Sequence, residues 1–66
     1  MDGADLQILK AKKGYNGLFI EVKYGKGKQS ENQMNFQKKC EEENYKYEVC
    51  NSFDSFKKIC KDYLTD

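Results

Sequence analysis

The sequence predicts one small α+β domain whose elements run β-β-α-β-α. Three observations support this order: two short apolar segments joined by a glycine-containing turn, a helix-capping motif at residues 30–33, and a second helical periodicity near the end of the chain. The chain has 66 residues, so we take residues 1–66 as a single domain. A core of this size rarely supplies more than about 3–5 kcal/mol, which favours self-association as a further source of stability.

The first two strands are predicted to form an antiparallel hairpin. Residues 5–11 (DLQILKA) and 18–24 (LFIEVKY) alternate in polarity, and residues 12–17 (KKGYNG) have the composition of a turn. Alternation along the second strand places Glu21 and Lys23 on the same face, about 6.5–7 Å apart along the backbone. Phe19 shares that face, which indicates partial burial under a helix.

The remaining elements are predicted from caps and periodicity. Ser30 and Gln33 form an S-x-x-Q capping box that begins a helix reaching to about Glu43. Residues 45–50 (YKYEVC) alternate as a third strand, and Asn51 or Ser52 caps a last helix. The aromatic residues have the spacing of core positions rather than of a base-stacking surface: Phe36, Tyr45, Tyr47, Phe53, Phe56 and Tyr63. Met34 is a further candidate for the apolar face of the first helix.

The composition excludes several classes of site. The three cysteines (Cys40, Cys50, Cys60) are odd in number and ten residues apart, and the chain has no histidine, which argues against a disulfide framework and a structural zinc site. We interpret them as small apolar residues in a reducing compartment. With no apolar segment long enough to cross a bilayer and no signal-peptide pattern, the expected location is cytoplasmic.

The charge is unevenly distributed although the net charge is only +1. Residues 1–30 carry six lysines and three acidic residues, whereas residues 31–66 carry six lysines and eight acidic residues. A local lysine patch can hold phosphates even on a nearly neutral molecule. The lysines of the two loops are therefore predicted contacts to nucleic acid, although a solvated surface explains them equally well: Lys12, Lys13, Lys26 and Lys28.

One group of residues suggests chemistry. The predicted hairpin brings Asp5 opposite the region from Glu21 to Lys23, so that two carboxylates converge. Carboxylates with a backbone carbonyl, here that of Val22, suit a hard cation such as Mg²⁺. A lysine beside such a metal can orient or deprotonate the attacking water and balance the charge of a phosphate. Taken alone, Glu-x-Lys is a weak signal, because exposed strands often carry such pairs.

The order of several motifs resembles the VRR-NUC domain, a branch of the PD-(D/E)XK nuclease superfamily. The matching segments are GADL (3–6), LFIEVK (18–23), GKQSENQ (27–33) and NYKYEVCNSFDSF (44–56). The resemblance covers nearly the whole chain in order. It implies a restriction-endonuclease-like core with a mixed three-stranded sheet and helices packed on it.

The resemblance also implies roles for individual residues. Asp5 and Glu21 match the acidic ligands of Mg²⁺ or Mn²⁺, and Lys23 matches the catalytic lysine. Gln33 matches the family's glutamine at the helix start, so it has two interpretations, a cap and a neighbour of the active site. The implied activity is metal-dependent hydrolysis of DNA. Small members of the family suggest a structure-selective, phage-encoded endonuclease for junction or flap DNA.

Two features differ from the family pattern. Ala4 stands where the family usually has proline, and only four residues precede Asp5, whereas the family normally has an N-terminal helix with a further glutamate. We expect this helix to be lacking, either because a preceding segment was removed or because this is a natural minimal form. A sheet surface left uncovered would favour a homodimer with C2 symmetry.

Two other classes of function stay open at this point. One is a catalytically incomplete nuclease fold that serves as a DNA-binding or dimerisation module, which would bind DNA without metal and without cleavage. The other is a small regulator that binds a protein partner and has affinity for neither metal nor DNA.

Overall fold

The computed structural model describes residues 5–25 and 27–65 and contains a mixed three-stranded sheet with two helices. The sheet order is β1-β2-β3, with β1 antiparallel and β3 parallel to the central strand β2. The elements are β1 (Leu6–Ile8), β2 (Leu18–Val22), α1 (Glu31–Glu42), β3 (Lys46–Cys50) and α2 (Phe53–Leu64). The predicted α+β class, element order and mixed sheet are confirmed.

The hairpin between β1 and β2 closes at the predicted turn. Lys12 and Tyr15 exchange backbone hydrogen bonds of 3.1 and 2.8 Å, and both central residues, Lys13 and Gly14, have positive φ. Positive φ at both central positions is the requirement of a type I′ turn, which matches the twist of the strands. β1 is shorter than predicted, because its ladder with β2 extends only from Leu6 to Ile8.

Each face of the sheet is covered by one helix. Because side chains alternate along β2, one set of its side chains packs against α2 and the other set faces α1. Leu18 and Ile20 are fully buried and form the main core with Cys50 and, from α2, Tyr63. On the opposite face the ring of Phe19 meets that of Phe36 from α1 edge-on at 5.5 Å. The same face carries Glu21, so burial by α1 extends to the candidate catalytic glutamate.

Both helices begin at predicted caps. Ser30 and Gln33 form the complete capping box of α1, with Ser30 Oγ accepting from the Gln33 N–H and Gln33 Oε1 accepting from the Ser30 N–H. Of the two candidates for the second cap, Ser52 is the one whose hydroxyl accepts from the Ser55 N–H. These polar contacts satisfy backbone donors that the first helical turn leaves without partners.

The predicted burial of two residues is wrong. Phe53 is 63% exposed, because it is the first residue of α2 and its ring stacks on Phe56 from outside the core. Met34 is 51% exposed on α1, where Cys40 is the buried side chain. Tyr47 and Tyr63 are buried as predicted.

The cysteines behave as predicted apolar side chains. All three thiols are free; Cys40 and Cys50 are buried and Cys60 is half-buried. Burial raises the pKa of each thiol, because the thiolate is desolvated more than the neutral form. Over the described ranges, neither helix has the length and apolarity that a bilayer-spanning segment requires.

Candidate active site

The centre of the site is the carboxylate of Glu21, near the carboxyl end of β2. The side chain is 0% exposed, between the sheet and α1. Its Oε1 accepts a 2.7 Å hydrogen bond from the Tyr47 hydroxyl and a 3.2 Å hydrogen bond from Gln29 Nε2. Burial, followed by the hydrogen bond to Glu21, raises the pKa of Tyr47, so this phenol stays a donor throughout the physiological range.

The second oxygen of Glu21 has a different environment. Oε2 is buried and accepts no hydrogen bond within the described residues, and the Lys23 ammonium lies 3.9 Å away. A buried acceptor without a hydrogen bond costs about 1–3 kcal/mol, and more when it is charged. The protein thus holds one carboxylate oxygen firmly and leaves the other facing a cationic group.

Asp5 is attached to the edge of β2 where Glu21 lies. Its N–H donates to the Ile20 carbonyl at 2.9 Å, and its Oδ2 accepts the Val22 N–H at 2.7 Å. Continuing the observed register, in which Leu6 pairs with Ile20, sets Asp5 opposite Glu21. Because the N–H and C=O of a strand residue point to the same side, the Val22 carbonyl faces the same edge.

These groups fit a hard divalent cation by their chemistry. The candidate donors are the Glu21 oxygen without a hydrogen bond, the Asp5 carboxylate and the Val22 carbonyl, all oxygen ligands of the kind that Mg²⁺ takes. Within residues 5–25 and 27–65 no three acidic, cysteine or histidine side chains come together as a metal-binding group. The set therefore resembles sites in which one or two carboxylates share the ion with water and substrate phosphate.

The glutamine next to Glu21 is Gln29, not Gln33. Gln33 uses its side-chain oxygen in the capping box, where it accepts the Ser30 N–H at 2.9 Å. Gln29 donates both to Glu21 and, at 2.9 Å, to Gln37, whose own amide donates to Glu41 at 3.3 Å. The capping interpretation of Gln33 is confirmed, and its catalytic role stays a prediction.

Sequence reasoning missed the two residues that orient Glu21. Tyr47 was assigned to core packing, and its hydroxyl was given no partner. The alternation of residues 45–50 indicates which side chains share a face of the third strand, but the pairing of Phe19 with Tyr47, which sets Tyr47 on the face of Glu21, comes only from the folded structure. Gln29 precedes the helix cap and belongs to no periodic element, so local pattern offered no comparable signal.

Two of the predicted nucleic-acid lysines lie away from the candidate site. Lys12 Nζ donates to the Leu64 carbonyl at 3.0 Å and Lys13 Nζ to the Thr65 carbonyl at 2.6 Å, so both bind the carboxyl end of α2. The hairpin turn that carries them adjoins the start of β2, whereas Glu21 lies near its end. Lys28 is exposed in the loop before α1, and Lys26 lies outside the described residues.

The mixed sheet, with a carboxylate buried beside a lysine near the end of its central strand, agrees with the small nuclease-type core expected from the sequence. The model of the VRR-NUC domain family matches residues 4–54 of the 66. The chain belongs to this family, which confirms the resemblance found in the sequence. No curated protein and no solved structure matches the chain significantly.

Proposed function

We propose that this protein is a metal-dependent endonuclease that hydrolyses phosphodiester bonds of DNA. The observation that carries the proposal is the buried Glu21, whose Oε2 has no hydrogen bond and lies 3.9 Å from the Lys23 ammonium. A purely structural carboxylate would be expected to have both oxygens hydrogen-bonded or exposed to water. Membership of a nuclease-type family supports the same conclusion.

In this mechanism Asp5, Glu21 and the Val22 carbonyl would hold Mg²⁺ or Mn²⁺. When bound, such an ion polarises the phosphate and lowers the pKa of a water molecule. The chain's own residues do the remaining work. Tyr47 and Gln29 hold Oε1 of Glu21 by hydrogen bonds, which leaves Oε2 near Lys23 and without a hydrogen bond of its own. The Lys23 side chain, 24% exposed, can balance the charge of the phosphate and help to remove a proton from the attacking water.

Branched DNA and a homodimer are further parts of the proposal. Two paired sites in a C2 dimer suit the two strands of a junction or flap. Exposed apolar side chains at the β1 edge, Leu6 at 38% and Leu9 at 73% exposure, are compatible with such an interface. The phage origin implied by the resemblance stays a prediction.

The test is a cleavage assay with a four-way junction, a flap and plain duplex DNA, in Mg²⁺, in Mn²⁺ and in EDTA. We expect cleavage only with metal, and a loss of about 10²–10⁴-fold in rate for Lys23→Ala, the range typical of acid–base groups. Glu21→Gln should weaken metal binding measured by calorimetry. Lys38→Ala, which removes an exposed lysine of α1, is the matched control and should keep the wild-type rate. Cleavage in EDTA, or an unchanged rate for Lys23→Ala, would contradict the mechanism.

The second candidate is a DNA-binding module of the same fold without catalysis. The observation in its favour is that Asp5 Oδ2 accepts the Val22 N–H, so one oxygen of the second carboxylate is already engaged. This candidate predicts DNA binding that is equal with metal and with EDTA, and intact substrates in every condition of the assay.

A further inference from the structure

An open cleft of about 560 Å³ lies beside the site, at the carboxyl ends of β2 and β3 and next to the first turns of α2. Cys50 and Ile59 supply apolar lining, and the polar lining includes Lys23, Asn51, Ser55 and Lys58. Neighbouring parallel strands commonly form ligand-binding crevices at their carboxyl ends. The mechanism above uses only Lys23 from this set.

The charge of the cleft selects the kind of ligand. Two lysines and no acidic residue line it among the described residues, although the chain contains 11 acidic residues. Asp54, the acidic residue of the first turn of α2, is not part of the lining. Together with the amide of Asn51 and the hydroxyl of Ser55, the lysines form a lining of hydrogen-bond donors, which is the requirement of a phosphate diester.

The cleft is continuous with the catalytic residues through Lys23. The Lys23 ammonium lies 3.9 Å from Glu21 Oε2, and the same side chain lines the cleft. Lys58 is exposed and forms no ion pair with any described residue, so its ammonium is available to a ligand. When the scissile phosphate of a DNA strand lies at the site of Glu21 and Lys23, a neighbouring phosphate of the same strand would therefore contact Lys58.

We propose that this cleft binds the sugar–phosphate backbone of the DNA strand next to the cleaved bond, with Lys58 as its outer phosphate contact. The inference rests on the proposed nuclease function, since Lys23 is shared. The apolar spacing of α2 indicates only a helix that packs on the core. The inference gives this helix a second role in binding the substrate. Recognition through phosphate and sugar positions the strand without reading its sequence.

The experiment measures binding separately from cleavage. Fluorescein-labelled flap DNA is titrated with protein in EDTA, and anisotropy is followed between about 50 and 200 mM salt. One lost phosphate contact should make the slope of log K against log salt shallower by about 0.9 for Lys58→Gln, with several-fold weaker binding at low salt. Lys58→Arg should keep the wild-type slope. Lys61→Gln, the same charge change one turn later on α2 and outside the cleft, should also keep it.

The inference would be overturned if Lys58→Gln had the same salt slope as the wild type, or if Lys58→Gln and Lys61→Gln changed the slope equally. A wild-type protein that does not bind this DNA would overturn it as well. Cleavage of the same flap in Mg²⁺ is scored independently. If the protein cleaves with metal but Lys58→Gln leaves the salt slope unchanged, the nuclease proposal is supported and the proposed cleft is rejected. A changed slope without any cleavage would support the cleft as a backbone-binding site and reject catalysis.

Discussion

The hydrogen bond from Tyr47 to Glu21 makes a precise prediction for Tyr47→Phe. This substitution removes one oxygen atom and keeps the ring, which packs between Phe19 at 6.4 Å and Phe36 at 6.2 Å. The Tyr47 hydroxyl donates to a fully buried carboxylate at 2.7 Å. After the substitution, Oε1 keeps only the longer hydrogen bond from Gln29, and the buried negative charge loses its closest donor.

The cost follows from the type of hydrogen bond. A hydrogen bond to a charged group contributes about 1.5–3 kcal/mol to stability. We therefore expect the free energy of unfolding to fall by about 2 kcal/mol in Tyr47→Phe. In a domain of this size each kcal/mol lowers Tm by about 4–8 °C, so the loss is measurable by circular dichroism. A urea titration with Glu21→Gln and the double variant gives the coupling energy, expected at about 1–2 kcal/mol.

The same variant tests the role of Tyr47 in the site. Groups that orient a metal ligand typically contribute 10–100-fold to metal affinity or activity. The Mg²⁺ concentration that gives half-maximal cleavage, and the affinity for Mn²⁺ measured by calorimetry, should each worsen by about that factor. A role limited to packing would leave both unchanged.

Tyr45→Phe is the matched control for Tyr47→Phe. Tyr45 packs on Phe19 at 5.2 Å, and its hydroxyl forms no hydrogen bond within the described part of the chain. If the two variants differ in stability by less than about 0.5 kcal/mol, the Tyr47 hydroxyl does not stabilise Glu21. The same conclusion would follow if the metal affinity of Tyr47→Phe equalled that of the wild type.

The pKa of Tyr47 also predicts a pH dependence. Its pKa is raised by burial and by the hydrogen bond to Glu21, so the folded state holds this proton more tightly than the unfolded chain. The resulting stability is complete below the unfolded pKa of about 10 and is lost as pH rises toward the folded value. Thermal unfolding between about pH 9 and 11 should therefore be less pH-dependent in Tyr47→Phe than in the wild type.

Three further predictions concern the fold. Gly17→Ala should lower the free energy of unfolding, measured in urea, by about 1–3 kcal/mol, since an added Cβ would lie 2.7 Å from the Ile8 carbonyl oxygen; a neutral result would mean that the hairpin relaxes freely. Ser30→Ala removes half of the capping box and should cost about 0.5–2 kcal/mol, whereas Ser30→Gly should cost only a few tenths, a contrast that helix packing alone would not produce. The buried Cys50 thiol, with its raised pKa, should react with iodoacetamide far more slowly in the folded protein than in urea, as followed by mass spectrometry; equal rates would show that this part of the core opens readily.

The parts of the fold that local chemistry decides could be predicted from the sequence. The capping box at Ser30 and the turn at residues 12–17 each depend on residues close in the chain, and both are confirmed. The alternation of LFIEV predicted which side chains share a face, and Glu21 lies on the face of Phe19 as expected. The exposure of Phe53 was missed, because its position depends on where α2 starts relative to the sheet.

Short periodicities and ordered motifs along the chain were enough to predict the element order, the catalytic candidates Glu21 and Lys23, and the family. The folded structure was needed to show that Gln29 and Tyr47, 8 and 26 residues away from Glu21, donate to the same carboxylate oxygen. These contacts require the parallel pairing of β2 with β3 and the packing of α1 over the sheet. A hydrogen bond between residues so far apart in the chain depends on register and on the depth of burial, and neither leaves a local pattern in the sequence.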